Sequence, residues 1–211
     1  MGHYKVKEIY YTLQGEGAHS GRPAVFCRFT GCNLWSGREE DRPKAICQFC
    51  DTDFWGTDGV EGGRYAAEEL AAKVISLWPE TKEGTPYVVC TGGEPLLQLD
   101  EELIEAFHKQ GLEVGVETNG TIEAPLGLDW ICMSPKANTE IKIQKGHELK
   151  LVYPQEGALP AQFEAYDFEH FYLQPMDGPH IQEHTKATLT YCMEHPKWHL
   201  SIQTHKILNI P

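Results

Sequence analysis

Three cysteines stand where they could share one inorganic centre. Fourteen residues separate Cys32 from Cys47, and two separate Cys47 from Cys50. The run Cys47-Gln48-Phe49-Cys50 can turn both thiolates toward one site. The polar segment Ser36-Gly37-Arg38-Glu39-Glu40-Asp41-Arg42-Pro43 gives Cys32 the slack to reach it. A structural zinc takes four protein ligands and does no chemistry. A [4Fe–4S] cluster held by only three thiolates keeps one iron open to a substrate or cofactor. With ten histidines in the chain, a zinc completed by a histidine, His19 being nearest the loop, stays open as the other reading. A thioredoxin-type pair fits less well, because this CxxC does not open a helix in a βαβ unit. The other four cysteines, Cys27, Cys90, Cys132 and Cys192, lie inside apolar runs and read as core.

Elements that could position such a centre follow from the hydrophobic pattern. Pro23–Thr30 reads as a strand leading to Cys32, and Arg64–Trp78 as a helix stopped by Pro79. Tyr87–Cys90 reads as a strand running into Thr91-Gly92-Gly93-Glu94-Pro95. Asp100 can cap a helix carrying Leu103, Ile104 and Phe107 that Gly111 closes. Leu112–Glu117, Leu128–Met133, Glu148–Val152 and His170–Leu173 read as further strands, Ile181–Met193 as a helix and Trp198–Gln203 as a last strand. Near-continuous apolar strands alternating with helices predict an α/β fold with a mostly parallel, helix-covered sheet. Cys132–Glu148 is too short and polar for a full crossover helix, so the pattern permits an open or partial barrel as readily as a flat sheet. Ligands gather at the C-terminal ends of such strands. Cys32, Gly92-Gly93-Glu94, Glu117-Thr118-Asn119, Ser134-Pro135-Lys136 and Gln174-Pro175-Met176-Asp177 all fall there.

Composition narrows the partners. The 211 residues suit one domain spanning 1–211. With 18 Lys+Arg against 31 Asp+Glu the net charge is −13, and no basic run offers a surface to a phosphate backbone. No apolar stretch approaches the roughly 20 residues of a membrane span, and the N-terminus lacks a signal-peptide core. The expectation is a soluble cytoplasmic protein with no direct nucleic-acid or membrane partner.

If the amino and carboxylate groups of S-adenosylmethionine chelate the open iron, an electron from the reduced cluster can break the sulfonium C–S bond. That gives a 5′-deoxyadenosyl radical, which needs a dry pocket. The aromatic Phe49 before the third cysteine, together with Gly92-Gly93-Glu94-Pro95 at the next strand end, resembles the radical S-adenosylmethionine superfamily. There the aromatic lies near the adenine, and the glycine-rich strand end meets the methionine amino group. The usual superfamily spacing has three residues between the first two cysteines. The fourteen here, with Tyr11–Gly17, Arg28–Leu34, Cys50-Asp51-Thr52, Glu117–Gly120, Ser134-Pro135-Lys136 and Gln174–Asp177, resemble the 7-carboxy-7-deazaguanine synthase family from about Lys7 to the last residue. The rival within radical chemistry, an activating enzyme for a glycyl-radical protein, carries the three-residue spacing that is missing here. The rival outside it is a non-catalytic zinc-binding module.

The resemblance implies a reduced (β/α) barrel and a ring contraction of 6-carboxy-5,6,7,8-tetrahydropterin to 7-carboxy-7-deazaguanine with loss of ammonia, on the route to queuosine. It implies a [4Fe–4S] cluster on Cys32, Cys47 and Cys50, S-adenosylmethionine, Mg2+ and a homodimer. An external electron donor such as a flavodoxin or ferredoxin would be needed. By the same resemblance Leu13, Gln14, Gly15, Arg28, Thr91 and Pro211 meet the pterin, with the terminal carboxylate of Pro211 inside the site. Phe49, Cys50, Asp51, Gly93, Ser134, Pro135, Lys136, Gln174, Pro175, Met176 and Asp177 meet the cofactor, and Thr52 meets Mg2+. The residue types suit these tasks: amide and backbone groups match a pterin edge, Arg forks a carboxylate and Mg2+ takes hard oxygens. Without the family, Gln14–Gly17 and Ser134–Lys136 read as plain turns, and Asp51, Asp53 and Asp58 as a solvated acidic loop. Glu117 and Asn119 rank below the others as pterin-positioning or proton-shuttling groups. His199 and His205 read as surface or packing histidines.

Overall fold

A computed structural model describes residues 3–80 and 84–211 of the chain. Among the described residues nine strands form one sheet in the order β3-β1-β2-β4-β5-β6-β7-β8-β9. They are β1 Tyr4–Leu13, β2 Pro23–Phe29, β3 Gly63–Tyr65, β4 Tyr87–Gly92, β5 Glu113–Thr118, β6 Trp130–Met133, β7 Lys145–Tyr153, β8 Asp167–Pro175 and β9 His199–Leu200. From β2 to β9 every neighbouring pair is parallel, whereas β1 is antiparallel to both β2 and β3. The sheet does not close, since β3 and β9 are edges. It is mostly parallel, as the strand pattern predicts, and open, as the reduced barrel implied by the resemblance requires.

Helices cover one face. α1 (Ala67–Ser76), α2 (Glu101–Lys109) and α3 (Ile181–Glu194) are the long ones. Asp100 caps α2 by accepting from the Leu103 amide at 3.0 Å, and the same carboxylate takes the Tyr4 hydroxyl at 2.7 Å. Leu103, Ile104 and Phe107 then turn inward at 0–2% exposure, each contributing about 1.5–3 kcal/mol of apolar burial. They pack with Val88, Val114, Val116, Leu149, Leu151 and Leu173 from the strands. Cys27, Cys90 and Cys132 are buried, and Cys192 is half-buried on α3.

The crossovers from β5 to β6 and from β6 to β7 carry no helix, and that from β7 to β8 carries only a 3-10 turn at Pro160–Gln162. Three expectations are corrected. β1 was not anticipated, because a bulge between Val6 and Glu8 breaks its alternation; Cys32 therefore follows the second strand. The helix expected from Arg64 starts at Ala67, since Gly63–Tyr65 pairs with Tyr4–Val6 instead. The last strand shrinks to His199–Leu200, after which Thr204–Leu208 turns into a short helix, α4.

Candidate active site

The C-terminal ends of the parallel strands surround a cavity of about 410 Å³, a volume typical of small-molecule sites. Leu13, Gln14 and Gly15 reach it from the end of β1, Arg28 from β2 and Thr91 and Gly93 from β4. Ser134 and Lys136 reach it from beyond β6, and Gln174, Pro175 and Asp177 from β8. Cys32, Cys47, Phe49, Cys50, Asp51 and Thr52 form its rim, and Pro211 closes it from the far end of the chain. Pro135 and Met176 are set back. The Pro135 carbonyl faces Gln155, and the Met176 carbonyl is held by the His184 ring at 2.8 Å.

The cysteine loop is tied down by its own residues. Glu39–Lys44 forms a 3-10 turn. From it the Arg42 guanidinium donates to the Gln48 and Cys50 carbonyls at 2.8 and 3.0 Å and lies 4.0 Å over the Trp35 ring. Trp35 packs edge-on against Phe54. On the other side Asn119 donates to Asn33, the neighbour of Cys32, at 3.0 Å. Glu94 is fully buried and accepts from the Leu96 amide, the Thr118 hydroxyl and the Asn119 amide at 3.0, 2.7 and 2.7 Å. Burial still pushes its carboxyl upward against those three donors. Glycine is required beside it. Gly92 has φ +149°, and a Cβ on Gly93 would come within 2.7 Å of the Cys32 Cβ.

The donor set fits a cluster with one open iron. Cys32, Cys47 and Cys50 line one cavity, and His19, the histidine nearest the loop, does not line it. A cluster distributes its thiolates over different irons, whereas zinc gathers all its ligands within about 2.3 Å of one point. Burial pushes the Cys32 and Cys47 thiols up, so metal binding must draw their protons off. Lys136 supplies the nearby positive charge. Burial lowers its ammonium against the pull of Cys47, Cys50 and Glu94, and the Ser134 hydroxyl and carbonyl each accept from it at 2.7 Å. His19, the histidine considered for zinc, lies against Trp130 with ring centroids 4.0 Å apart, away from the cysteine cavity.

Asp53 and Asp58 are exposed, as in a solvated acidic loop, and the Lys7 ammonium bridges them at 2.9 and 2.8 Å. Several cavity residues escaped the reading of the sequence. Lys150 lies buried beneath the pocket between Glu16 and Glu117. His205, read as a surface or packing histidine, packs against Gly15 and lines the cavity, where the Thr204 amide and hydroxyl both donate to the Gly15 carbonyl at 2.9 Å. Lys206 joins Asp51 to Asp177 at 2.7 and 2.6 Å. The periodicity of residues 198–203 hid this turn.

No family profile matches the chain. It is 62% identical over 208 residues to the 7-carboxy-7-deazaguanine synthase of Bradyrhizobium diazoefficiens, covering 98% of this chain and 99% of that protein. It is 60% identical over 209 residues to the 7-carboxy-7-deazaguanine synthase of Caulobacter vibrioides, covering 99% of each. Among solved structures it superposes on QueE from Escherichia coli with a TM-score of 0.72 and 25% identity, covering 95% of this chain and 94% of the other. Sequence identity along nearly the whole length and a shared fold agree with the cysteine loop, the Gly-Gly-Glu strand end and the cavity they enclose: the chain belongs to the 7-carboxy-7-deazaguanine synthase family, enzymes of the radical S-adenosylmethionine type.

Proposed function

We propose that the chain acts as a single radical S-adenosylmethionine domain that converts 6-carboxy-5,6,7,8-tetrahydropterin to 7-carboxy-7-deazaguanine and ammonia, a step of 7-deazapurine biosynthesis. The observation that carries this reading is the convergence of the three cysteine thiols, the Gly92-Gly93-Glu94 strand end and a set of donors and acceptors suited to a pterin on one cavity. Cys32, Cys47 and Cys50 would hold the [4Fe–4S] cluster, which supplies with S-adenosylmethionine the hydrogen-abstracting radical. Phe49 would cover the adenine. The Gly93 backbone, Ser134, Lys136 and the Gln174–Asp177 segment would take the ribose and the zwitterionic methionine end.

On the substrate side, Arg28 holds Glu8 through Nε and Tyr10 through Nη2, both at 2.8 Å. One guanidinium nitrogen is thereby left for the pterin carboxylate. Gln14 is fixed by donating to Glu117 at 2.8 Å and by accepting from the Glu16 amide at 3.1 Å, which holds its side chain in place on the cavity wall. Thr91 and Pro211 border the same space. Apolar Leu13, Phe26, Phe54 and Val152 exclude water around the reacting centre.

Thr52, with Asp51 beside it, would take Mg2+ against the substrate carboxylate and stabilise negative charge during rearrangement. The electron would come from a flavodoxin or ferredoxin, the active unit would be a homodimer and the compartment the cytoplasm. No helix of the described residues is long and apolar enough to cross a membrane. The test is anaerobic incubation with reductant, S-adenosylmethionine and the tetrahydropterin, with and without Mg2+. The expected result is Mg2+-stimulated 7-carboxy-7-deazaguanine with one ammonia per product. A protein carrying a full cluster that leaves the pterin unchanged contradicts the proposal.

A further inference from the structure

Lys150 lies in the middle of β7 with its side chain 4% exposed. Its ammonium meets Glu16 Oε2 at 2.6 Å and Glu117 Oε2 at 3.2 Å. An ammonium has three donors, so one is left over on a side chain that lines the cavity. Each carboxylate it holds carries a different part of the site. Glu117 Oε1 accepts from the Gln14 amide at 2.8 Å. Glu16 Oε1 accepts from Gln174 and from Gln203, both at 3.0 Å. Gln174 in turn accepts from Ser201, and Gln203 also reaches Asp51 at 3.3 Å. One buried cation therefore links the pterin-facing loop, the cofactor-facing end of β8 and the segment bearing His205.

We propose that Lys150 is the positioning residue of the pocket floor: its ammonium orients the Glu16 and Glu117 carboxylates and thereby sets the place of Gln14, Gln174 and the segment that brings His205 over the substrate. This inference rests on reading the cavity as the pterin site. A merely structural ion pair this deep would be no more stabilising than a well-packed apolar side chain, whereas here the charge has to be met. Burial alone would raise the Glu16 carboxyl, and the Lys150 charge and hydrogen bond, aided by Gln203, hold it low. Burial would likewise depress Lys150, and the surrounding negative charge, including Glu117, Glu16 and Glu148, drives it well above the usual lysine value. The other titratable groups facing this centre are Tyr10 and Tyr87, whose hydroxyls burial keeps protonated, Cys132, whose thiol burial keeps protonated, Glu148, whose carboxyl burial raises, Lys136 and His205. Among the described residues Lys150 is the one cation paired with Glu16 or Glu117.

The variant Lys150→Met keeps the buried stem and removes the charge. In infrared difference spectra near neutral pH it should gain a carboxylic-acid carbonyl band, as the stranded Glu16–Glu117 pair takes up a proton. Combining it with Glu16→Gln and Glu117→Gln should abolish that band. The acid limb of kcat/KM for the pterin should move up by about one pH unit or more, since a unit corresponds to about 1.4 kcal/mol of lost interaction. Iron content should stay near wild type, and Lys150→Arg should restore the limb. If Lys150→Met does not fold, Glu16→Gln serves instead, because it leaves the ammonium wholly to Glu117 and should shift the limb downward. An unmoved limb together with no new infrared band overturns the inference. If the wild-type protein forms no 7-carboxy-7-deazaguanine, the proposed function falls, and the infrared band alone decides the role of Lys150.

Discussion

Arg28 shows how much of the site a single side chain decides. It is half-buried, pinned by Glu8 and Tyr10, and faces the cavity from β2. Lysine keeps the charge and loses the fork. We expect Arg28→Lys to lose one charge-assisted hydrogen bond, about 1.5–3 kcal/mol, read as a roughly 10–150-fold drop in kcat/KM with the cluster spectrum intact. Glu94 makes a different prediction. Gln in its place presents an NH2 to backbone donors that need an acceptor, which should cost about 1–3 kcal/mol in chemical denaturation. At this scale the sequence was informative where the residue type alone limits the chemistry: three cysteines permit few readings. Lys150, Glu16, Gln203 and His205 were opaque, because their roles depend on which strand ends meet, and nothing local marks them.

At the scale of elements, the end of β4 sets the position of the cysteine loop. Gly93 lies against Gly31 and Cys32 with no room for a methyl group. Gly93→Ala should therefore displace Cys32, and we expect the anaerobically reconstituted variant to bind less iron while keeping near-native circular dichroism. The parallel strands and α2 were legible from apolar runs and the Asp100 cap. β1 was not, since its bulge places both Val6 and Lys7 in buried positions and erases the period of two. The 63–65 segment was absorbed into a helix because Arg64 and Tyr65 suit either state, and pairing with β1 decides between them. The missing crossover helices were legible as short polar gaps.

Across the whole molecule, the segment 203–211 straps distant elements together. Thr204 holds Gly15, the Pro211 carbonyl accepts from Thr12 at 3.1 Å, and Lys206 clamps Asp51 to Asp177. The Lys206 hydrogen bond lowers Asp177; burial raises Asp51, and the Lys206 hydrogen bond and charge, with the Gln203 hydrogen bond, together outweigh it. Lowered carboxylates stabilise the fold above their ordinary value of 3.8, and that stability is lost as pH falls through the lowered values. Both pairs are partly exposed, so each contributes at most about 1 kcal/mol. Limited proteolysis at neutral pH should cut Lys206→Met faster than wild type within residues 203–211, and the difference should vanish once acid protonates both aspartates. Such long-range closure is the part of the architecture that no local pattern announced.

All of this turns on a three-cysteine cluster with an iron left for S-adenosylmethionine, and electron paramagnetic resonance of the anaerobically reduced protein tests it most directly. We predict a [4Fe–4S]+ signal that changes line shape when S-adenosylmethionine is added and is lost in Cys50→Ala. A colourless zinc-containing protein, or a cluster signal that S-adenosylmethionine leaves unaltered, would contradict the account.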